Sequence, residues 1–222
     1  MVNTSKIKPK VIIICGPTGI GKTTVGIELA RAFNGEIISA DSMQVYRYMD
    51  IGSAKPTKAE QSEVPHHMID IIKPDKHFDA EMYAETAREI IYMLHGKGVV
   101  SFVVGGTGFY IKSLEYGLFD PGLSDPGIRE KLKKEAGVKG TGFLYDRLRR
   151  YDPETSATVH HNDTYRIIRA LEVYELTGKR ISVYRNQHAF ADRPFNVLKI
   201  GLKTDRKLLY ERINQRVDRM LA

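Results

Sequence analysis

Lys22 and Thr23 close the stretch GPTGIGKT at 16–23, whose residue types and spacing suit a chain of phosphates. It fits G-x-x-x-x-G-K-[ST] at every fixed position. Gly16, Gly19 and Gly21, with Pro17 and Ile20 between them, let the backbone turn sharply and aim N–H groups inward. A helix beginning after them adds the positive end of its dipole. Lys22 is placed to reach terminal phosphates, and Thr23 to set its hydroxyl on Mg2+. Thr18 is either a further phosphate or substrate contact or a loop-stabilising hydroxyl. The bland alternative, an ordinary glycine-rich strand-to-helix turn, leaves the lysine and threonine unexplained. The motif names phosphate without naming ATP. A nucleotide hydrolase also needs a carboxylate after a hydrophobic strand, and the apolar run Val99–Val104 ends instead in Gly105–Gly106.

Asp41 is the first acidic group at a strand end, in SADSMQVYRYMDIGSAKPT at 39–57. It can take a proton from an acceptor, hold a metal ion through water, or cap the loop that follows. Ser42 and Gln44 add hydrogen-bonding capacity. Gln44 can pair with an adenine edge or be a surface side chain. Lys55 can reach phosphate or be solvated. His66 and His67 are adjacent, so on a strand they point to opposite faces. That disfavours a shared metal and favours structural roles.

The elements that must hold these residues alternate. Val11–Cys15 is a short β-branched run that reads as a buried parallel strand. Thr23–Phe33 reads as a helix and Glu36–Ala40 as a strand. Asp79–Leu94 reads as a helix stopped by Gly96 and Gly98, and Val99–Val104 as a third strand. This is an open α/β sheet with ligands at the carboxyl ends of its strands, where the glycine loop, Asp41 and Gly105–Thr107 all fall. From Gly117 to Arg193 charge and helical signals dominate. Asp125–Pro126 starts a helix that Gly137 is expected to end. Gly142–Tyr151 is another, and Asp163 and Gly178 bracket Thr164–Leu176. Val197–Leu202 returns to strand character. Thr204 or Asp205 then caps a last helix with Leu209, Ile213, Val217 and Met220 in its stripe. The expected organisation is 1–116 for the first part of the α/β core, 117–196 for a helical insertion and 197–222 for the return. No C-cap signal precedes Ala222, so the sequence reads as stopping before its natural domain does.

With 222 residues, 42% of them hydrophobic, the chain can build a real core. A net charge of +7 favours a polyanionic partner without requiring one. Cys15, the single cysteine, lies in an apolar run. It reads as a buried thiol suited to the cytoplasm and leaves no support for a structural zinc. No apolar run approaches the length of a bilayer span, so no membrane association is expected.

The longer motifs resemble a known family. GPTGIGKT at 16–23, ISADSMQVYRYMDIGSAKPT at 38–57, PHHMIDI at 65–71, VVGGTGFYI at 103–111, HHNDTYRIIRALEVYELTG at 160–178 and LYERINQRVDRML at 209–221 occur in the order found in the tRNA dimethylallyltransferases, or tRNA isopentenyltransferases. The resemblance implies a parallel α/β sheet of the P-loop nucleoside-triphosphate-hydrolase type, with a helical insertion that grips the tRNA anticodon stem-loop. It implies transfer of a dimethylallyl group from dimethylallyl diphosphate to N6 of adenosine 37, with Mg2+, in a monomer. The cradle Gly16–Thr23 then binds the donor's diphosphate, which accounts for the absent second carboxylate.

Residue by residue, the resemblance makes Asp41 the general base, Thr23 a Mg2+ and phosphate contact, and Thr107 a neighbour of the adenosine and diphosphate. It makes Arg216 the arginine that neutralises diphosphate. Substrate tRNA contacts fall on Asp41, Ser42, Met43, Gln44, Thr107 and Arg129, and on Tyr165, Arg166, Ile167, Ile168 and Arg169. Arg166 and Arg169 share a helix face, which serves RNA or solvent. Arg212, Arg216 and Arg219 are similarly spaced. The chain departs from the family at Gly19, where alanine is common, at Tyr48, where glycine is common, and at His161, where proline is common. None of these removes a chemical group. Family members usually continue well beyond residue 222. The rival readings are an ATP-dependent small-molecule kinase, which would consume ATP, and a non-catalytic RNA-binding protein, which would not need Lys22, Thr23 and Asp41 together.

Overall fold

The computed structural model describes residues 7–117, 124–188 and 193–221. Residues 1–6, 118–123, 189–192 and 222 lie outside the described residues, as do the side chains of His188 and Arg219. The chain divides into two compact units, Met1–Gly117 with Asp192–Ala222, and Leu118–Ala191.

In the first unit the order is β1 (Lys10–Cys15), α1 (Lys22–Ala32), β2 (Gly35–Ala40), α2 (Lys58–Glu63), β3 (His66–His67), α3 (Ala80–Gly96), β4 (Val100–Gly105) and α4 (Gly108–Tyr116). The second unit holds α5 (Pro126–Lys139), α6 (Thr141–Tyr151), α7 (Pro153–Ser156), α8 (Thr164–Thr177) and α9 (Ile181–His188). The first unit then resumes with β5 (Asn196–Gly201) and α10 (Arg206–Leu221).

The strands form one parallel sheet in the order β3-β2-β4-β1-β5. Its register matters for chemistry. Cys15 lies opposite Gly105 and Gly201, and Ala40 opposite Gly105, so β1, β2, β4 and β5 finish level. The residues that follow them therefore emerge along one edge. Alternate side chains face opposite sides of a strand. Ile14, Ile37, Phe102 and Val104 join Ile27 and Ala30 of α1 in one core cluster. Ile13, Ile38 and Val103 are also buried, as are Tyr83, Ala87, Ile91 and Leu94 along α3 and Leu114 on α4. Each fully buried large aliphatic contributes about 1.5–3 kcal/mol, which makes the strand ends a rigid base for the site. Cys15, expected to be buried, is only partly so.

Helix starts follow their caps. Asp79 accepts from the N–H groups of Glu81 and Met82, Asp125 from Ile128, Asp163 from Arg166 and Asp205 from Lys207. Gly178 closes α8 at φ 68°. The expected stop at Gly137 is corrected. The helix α5 runs on to Lys139 and ends at Gly140, φ 83°. A glycine held at positive φ leaves the helical conformation, whereas a glycine inside a helix only weakens it, so the third residue beyond Gly137 does the stopping. The helices α2, α4, α7 and α9 and the two-residue β3 had no expectation. In the second unit Leu132, Leu144, Leu148, Ile167, Ile168, Ala170 and Leu171 form the core. Among the described residues no helix is long and apolar enough to cross a membrane.

Candidate active site

The loop from Gly16 to Gly21 leaves β1 and enters α1 with Gly16, Gly19 and Gly21 at φ 155°, 78° and 99°. A Cβ at Gly16 would lie 2.9 Å from the Leu202 carbonyl oxygen, so the loop threads close against the end of β5. No side chain caps α1 and no acidic residue lies in its first turn. Its positive end is thus left to the loop, the arrangement that receives anions.

Lys22 folds back across this loop, its Nζ donating to the carbonyls of Gly16 (3.0 Å) and Pro17 (2.9 Å). Burial lowers its pKa from the ordinary lysine value; Asp41 pulls upward and Arg216 lowers it further. One ammonium thus feels both the strand-end carboxylate and the arginine of the last helix. Arg216 reaches the loop itself, Nη1 donating to Thr18 Oγ1 at 3.1 Å. The Thr18 hydroxyl therefore ties the loop to the last helix. The helix α10 sits against the loop through Ile213 and Leu209, which a Cβ at Gly19 would meet at 3.0 and 3.8 Å. Glycine in place of the common alanine suits both the positive φ and that approach.

Asp41 follows β2. Its Oδ1 accepts from the N–H groups of Met43 (2.9 Å) and Gln44 (3.4 Å), so one oxygen caps the turn. Among the described residues no hydrogen bond reaches Oδ2. Across the strand ends Thr107 N–H donates to the Ala40 carbonyl (3.0 Å), and Thr107 Oγ1 accepts from Ser42 N–H (3.0 Å). These bonds tie the Asp41 turn to the start of α4, the second helix whose first turn no side chain caps. Tyr110 of α4 lies under the same region, stacked on Tyr83 with ring centroids 4.3 Å apart. Burial, then Tyr46, Asp79 and Asp41, push its phenol up to about 12, so it stays neutral. Thr23 lines a small cavity together with Ser39, Gln44 and His66.

Gln44 and Lys55 both find partners within the fold. Gln44 is partly buried. Its Oε1 accepts from Ser39 Oγ (2.9 Å), and its Nε2 donates to the carbonyls of Ser53 (3.2 Å) and Ala54 (3.1 Å). Lys55 is neither solvated nor free for phosphate. Its side chain is 6% exposed and bonds Asp50 (2.7 Å), Asp70 (2.6 Å) and the Tyr46 carbonyl (2.7 Å). Burial pulls its pKa down, but the two carboxylates outweigh that and raise it. The histidines are structural: His67 pairs with Glu36 (2.6 Å), and His66 Nδ1 bonds the Val64 carbonyl (2.7 Å).

Arg129 and Tyr165–Arg169 belong to the second unit, where they meet one another. Tyr165 is exposed, and Arg166 pairs with Asp163 at 3.3 Å. Ile167 is fully buried, so its side chain serves the core. Ile168 is also buried and lines a pocket with Arg129, Tyr165 and Arg169. The pairing of Thr107 with the Asp41 turn, and the packing of Ile213 on Gly19, join residues far apart in sequence and leave no local signal.

A family model described as IPP transferase matches residues 44–222. A tRNA dimethylallyltransferase of Desulfosudis oleivorans is 54% identical over 97% of this chain and 68% of its own length. The crystal structure of a full-length tRNA isopentenylpyrophosphate transferase from Bacillus halodurans matches with a TM-score of 0.64 at 40% identity, over 96% of this chain and 66% of that one. A eukaryotic dimethylallyltransferase acting on tRNA matches with a TM-score of 0.81 at 31% identity, over 96% of this chain and 53% of that one. The chain thus spans from about half to about two thirds of these relatives. Identity of 54% over 97% of the chain exceeds what shared architecture alone produces, and with the family model matched over residues 44–222 the chain belongs to the IPP transferase family, that of the tRNA dimethylallyltransferases.

Proposed function

We propose that this chain transfers the dimethylallyl group of dimethylallyl diphosphate to N6 of adenosine 37 in the tRNA anticodon stem-loop, releasing diphosphate. The observation that carries the reading is the convergence of Lys22, Arg216 and the uncapped start of α1 on one glycine loop, with Asp41 at an adjoining strand end. The fold is read as the P-loop type, with diphosphate where a nucleotide's phosphates would lie.

In the reaction the allylic C–O bond breaks and its electron pair leaves on the diphosphate. Loop N–H groups, Lys22 and Arg216 face that developing charge, which is where preorganised donors accelerate a reaction most. The N6 nitrogen forms the new bond to carbon and gives its proton to Asp41. Oδ1 is held by the turn and, among the described residues, no hydrogen bond reaches Oδ2, so one oxygen fixes the orientation and the other receives the proton. Thr107 and Ser42 keep that turn in register with α4. An unpaired loop base enters such a pocket more cheaply than one in a duplex.

Mg2+ fits as a partner of the substrate. Among the described residues no group of three or more His, Cys, Asp or Glu could hold a metal alone, and Mg2+ usually takes one or two protein ligands beside phosphate oxygens and water. Thr23 would hold it, and it would neutralise diphosphate charge. Arg129, Tyr165, Arg166 and Arg169 would grip the RNA. A monomer in the cytoplasm completes the reading.

The test is to supply dimethylallyl diphosphate labelled in its prenyl group together with an anticodon stem-loop. Label in the RNA, matched by released diphosphate and independent of ATP, is expected. ATP consumption with no labelled RNA would replace this reading with a kinase.

A further inference from the structure

Glu172 is a glutamate with no solvent exposure at all, on the inner side of α8. A buried carboxylate is tolerated only when paired and hydrogen-bonded, and this one is. Its Oε2 accepts from Arg129 Nε (3.1 Å) and Arg169 Nη1 (2.8 Å). Its Oε1 accepts from Asp125 N–H (3.0 Å) and Ser124 Oγ (3.4 Å). Burial alone would raise its pKa; the bonds from Arg169, Asp125 and Arg129 outweigh that and hold it below the ordinary glutamate value. The two arginines come from different helices, α5 and α8. Each guanidinium carries five N–H donors in a fixed plane, and each gives one of them to this carboxylate.

Beside them is a pocket of 270 Å³ lined by Arg129, Lys133, Thr164, Tyr165, Ile168 and Arg169. Three cations share its wall. Ile168 is buried, and the Tyr165 side chain beside it is largely exposed. Cations beside an aromatic ring are the elements from which proteins build contacts to a nucleotide of single-stranded RNA. Lys133 lies one helical turn after Arg129 and had no assigned role.

We propose that Glu172 is a positioning residue for RNA: it locks Arg129 and Arg169 into one preorganised phosphate-binding face, with Lys133 as its third cation. The proposal rests on the tRNA reading above and adds to it which groups set the grip. Arginine used this way is fixed in geometry as well as charge. Holding the fork in place removes the ordering cost that a free side chain would meet on binding.

Charge and position make opposite forecasts, which makes the idea testable. Glu172→Gln removes a negative charge from a basic surface. If only the field mattered, RNA would bind more tightly. If position matters, RNA binds more weakly. The measurement is the Kd of the anticodon stem-loop for the 222-residue chain across a salt series, with thermal unfolding as the control for folding. For a folded Glu172→Gln we expect Kd to rise about tenfold, from the loss of charge-assisted bonds that fix two arginines. Its log Kd against log salt should be shallower by about one, for one phosphate less neutralised. Lys133→Ala should flatten the slope by a similar amount, about one. Binding by folded Glu172→Gln as tight as wild type or tighter overturns the proposal, and an unchanged slope in Lys133→Ala removes Lys133 from it.

If Glu172→Gln does not fold, Arg129→Lys and Arg169→Lys decide. Both keep the charge and lose the planar fork. Binding weakened about fivefold or more supports the proposal, and wild-type binding overturns it. Should the wild-type chain bind no stem-loop while still binding inorganic diphosphate, the tRNA reading itself fails, and the proposal fails with it.

Discussion

Gly105 and Gly106 are neighbours in GGTG, yet the structure separates them sharply. Gly105 ends β4 opposite Ala40 of β2. A Cβ there would lie 2.7 Å from Ala40 Cα and closer still to the Ala40 carbonyl. Carbon atoms in contact sit about 3.5–4.0 Å apart, so Gly105→Ala requires β2 and β4 to part by about 1 Å where Asp41 begins. The obstacle is backbone in a hydrogen-bonded sheet and has no rotamer by which to move away. Overpacking of this kind costs about 1–3 kcal/mol and occasionally more; with backbone on the receiving side, about 3 kcal/mol is expected. The same displacement would move the Asp41 turn relative to Thr107. A misplacement near 1 Å can cost about a hundredfold in rate. At Gly106 a Cβ would meet the Gly16 carbonyl oxygen and Lys22 Nζ at 3.6 Å, ordinary contact. Gly106→Ala should therefore leave stability within about 0.5 kcal/mol of wild type or raise it slightly, since alanine narrows the unfolded ensemble. Urea unfolding of both variants and single-turnover transfer by Gly105→Ala read these effects. A Gly105→Ala protein as stable as Gly106→Ala would refute the close-approach argument.

Tyr48 is exposed and held at φ 67°, a conformation that costs a non-glycine residue about 1–2 kcal/mol. Tyr48→Gly should raise the urea midpoint, by a net of about 1 kcal/mol after the extra freedom glycine gains in the unfolded chain; a fall would show that the ring contributes more than the strain costs. His66 is held below its ordinary value of 6.5 mainly by burial, partly offset by its bond to the Val64 carbonyl. Between the folded and unfolded pKa the unfolded state binds more protons, so stability present above about pH 6.5 is lost as pH falls. His66→Asn should flatten that loss in thermal unfolding between about pH 7 and 5, and an unchanged profile would clear His66 of it. Arg216 donates to Thr18 on an exposed surface, so Arg216→Ala should barely move the unfolding temperature. It should lower kcat by about 10²–10³, the usual effect of removing one donor to developing negative charge; a loss under about threefold would take Arg216 out of the mechanism.

What the sequence made legible was whatever a local pattern determines. Val11–Cys15 and Val99–Val104 read as buried strands because they are short runs rich in β-branched residues, and both lie in strands of the sheet. Asp163 and Gly178 bracket α8 because caps act within one turn. Glycine was harder to place, since Gly137 and Gly140 are alike as residues and only the backbone angle tells the helix stop from the interior. The carbonyl partners of the Gln44 Nε2 lie nine and ten residues away, brought back by a loop with no periodicity. Lys55 is likewise paired with Asp70, fifteen residues on, as well as with nearby Asp50. Glu172 lies 43 residues from Arg129. In the sequence it is one more acidic residue on an amphipathic helix, and only packing reveals it as the carboxylate that two helices share. The cradle and Asp41 were visible as residue types, whereas the bonds that put them in register were not.

The proposed function depends on Asp41 removing the N6 proton while the glycine loop holds the diphosphate. Single-turnover transfer of labelled dimethylallyl to a saturating anticodon stem-loop, compared between wild type and Asp41→Asn, tests it most directly. Asparagine still accepts the turn's N–H bonds but cannot take a proton. Asp41→Asn is expected to bind diphosphate and RNA yet transfer about 10²–10⁴-fold more slowly, the range general-base catalysis supplies. Transfer within about threefold of wild type would contradict it.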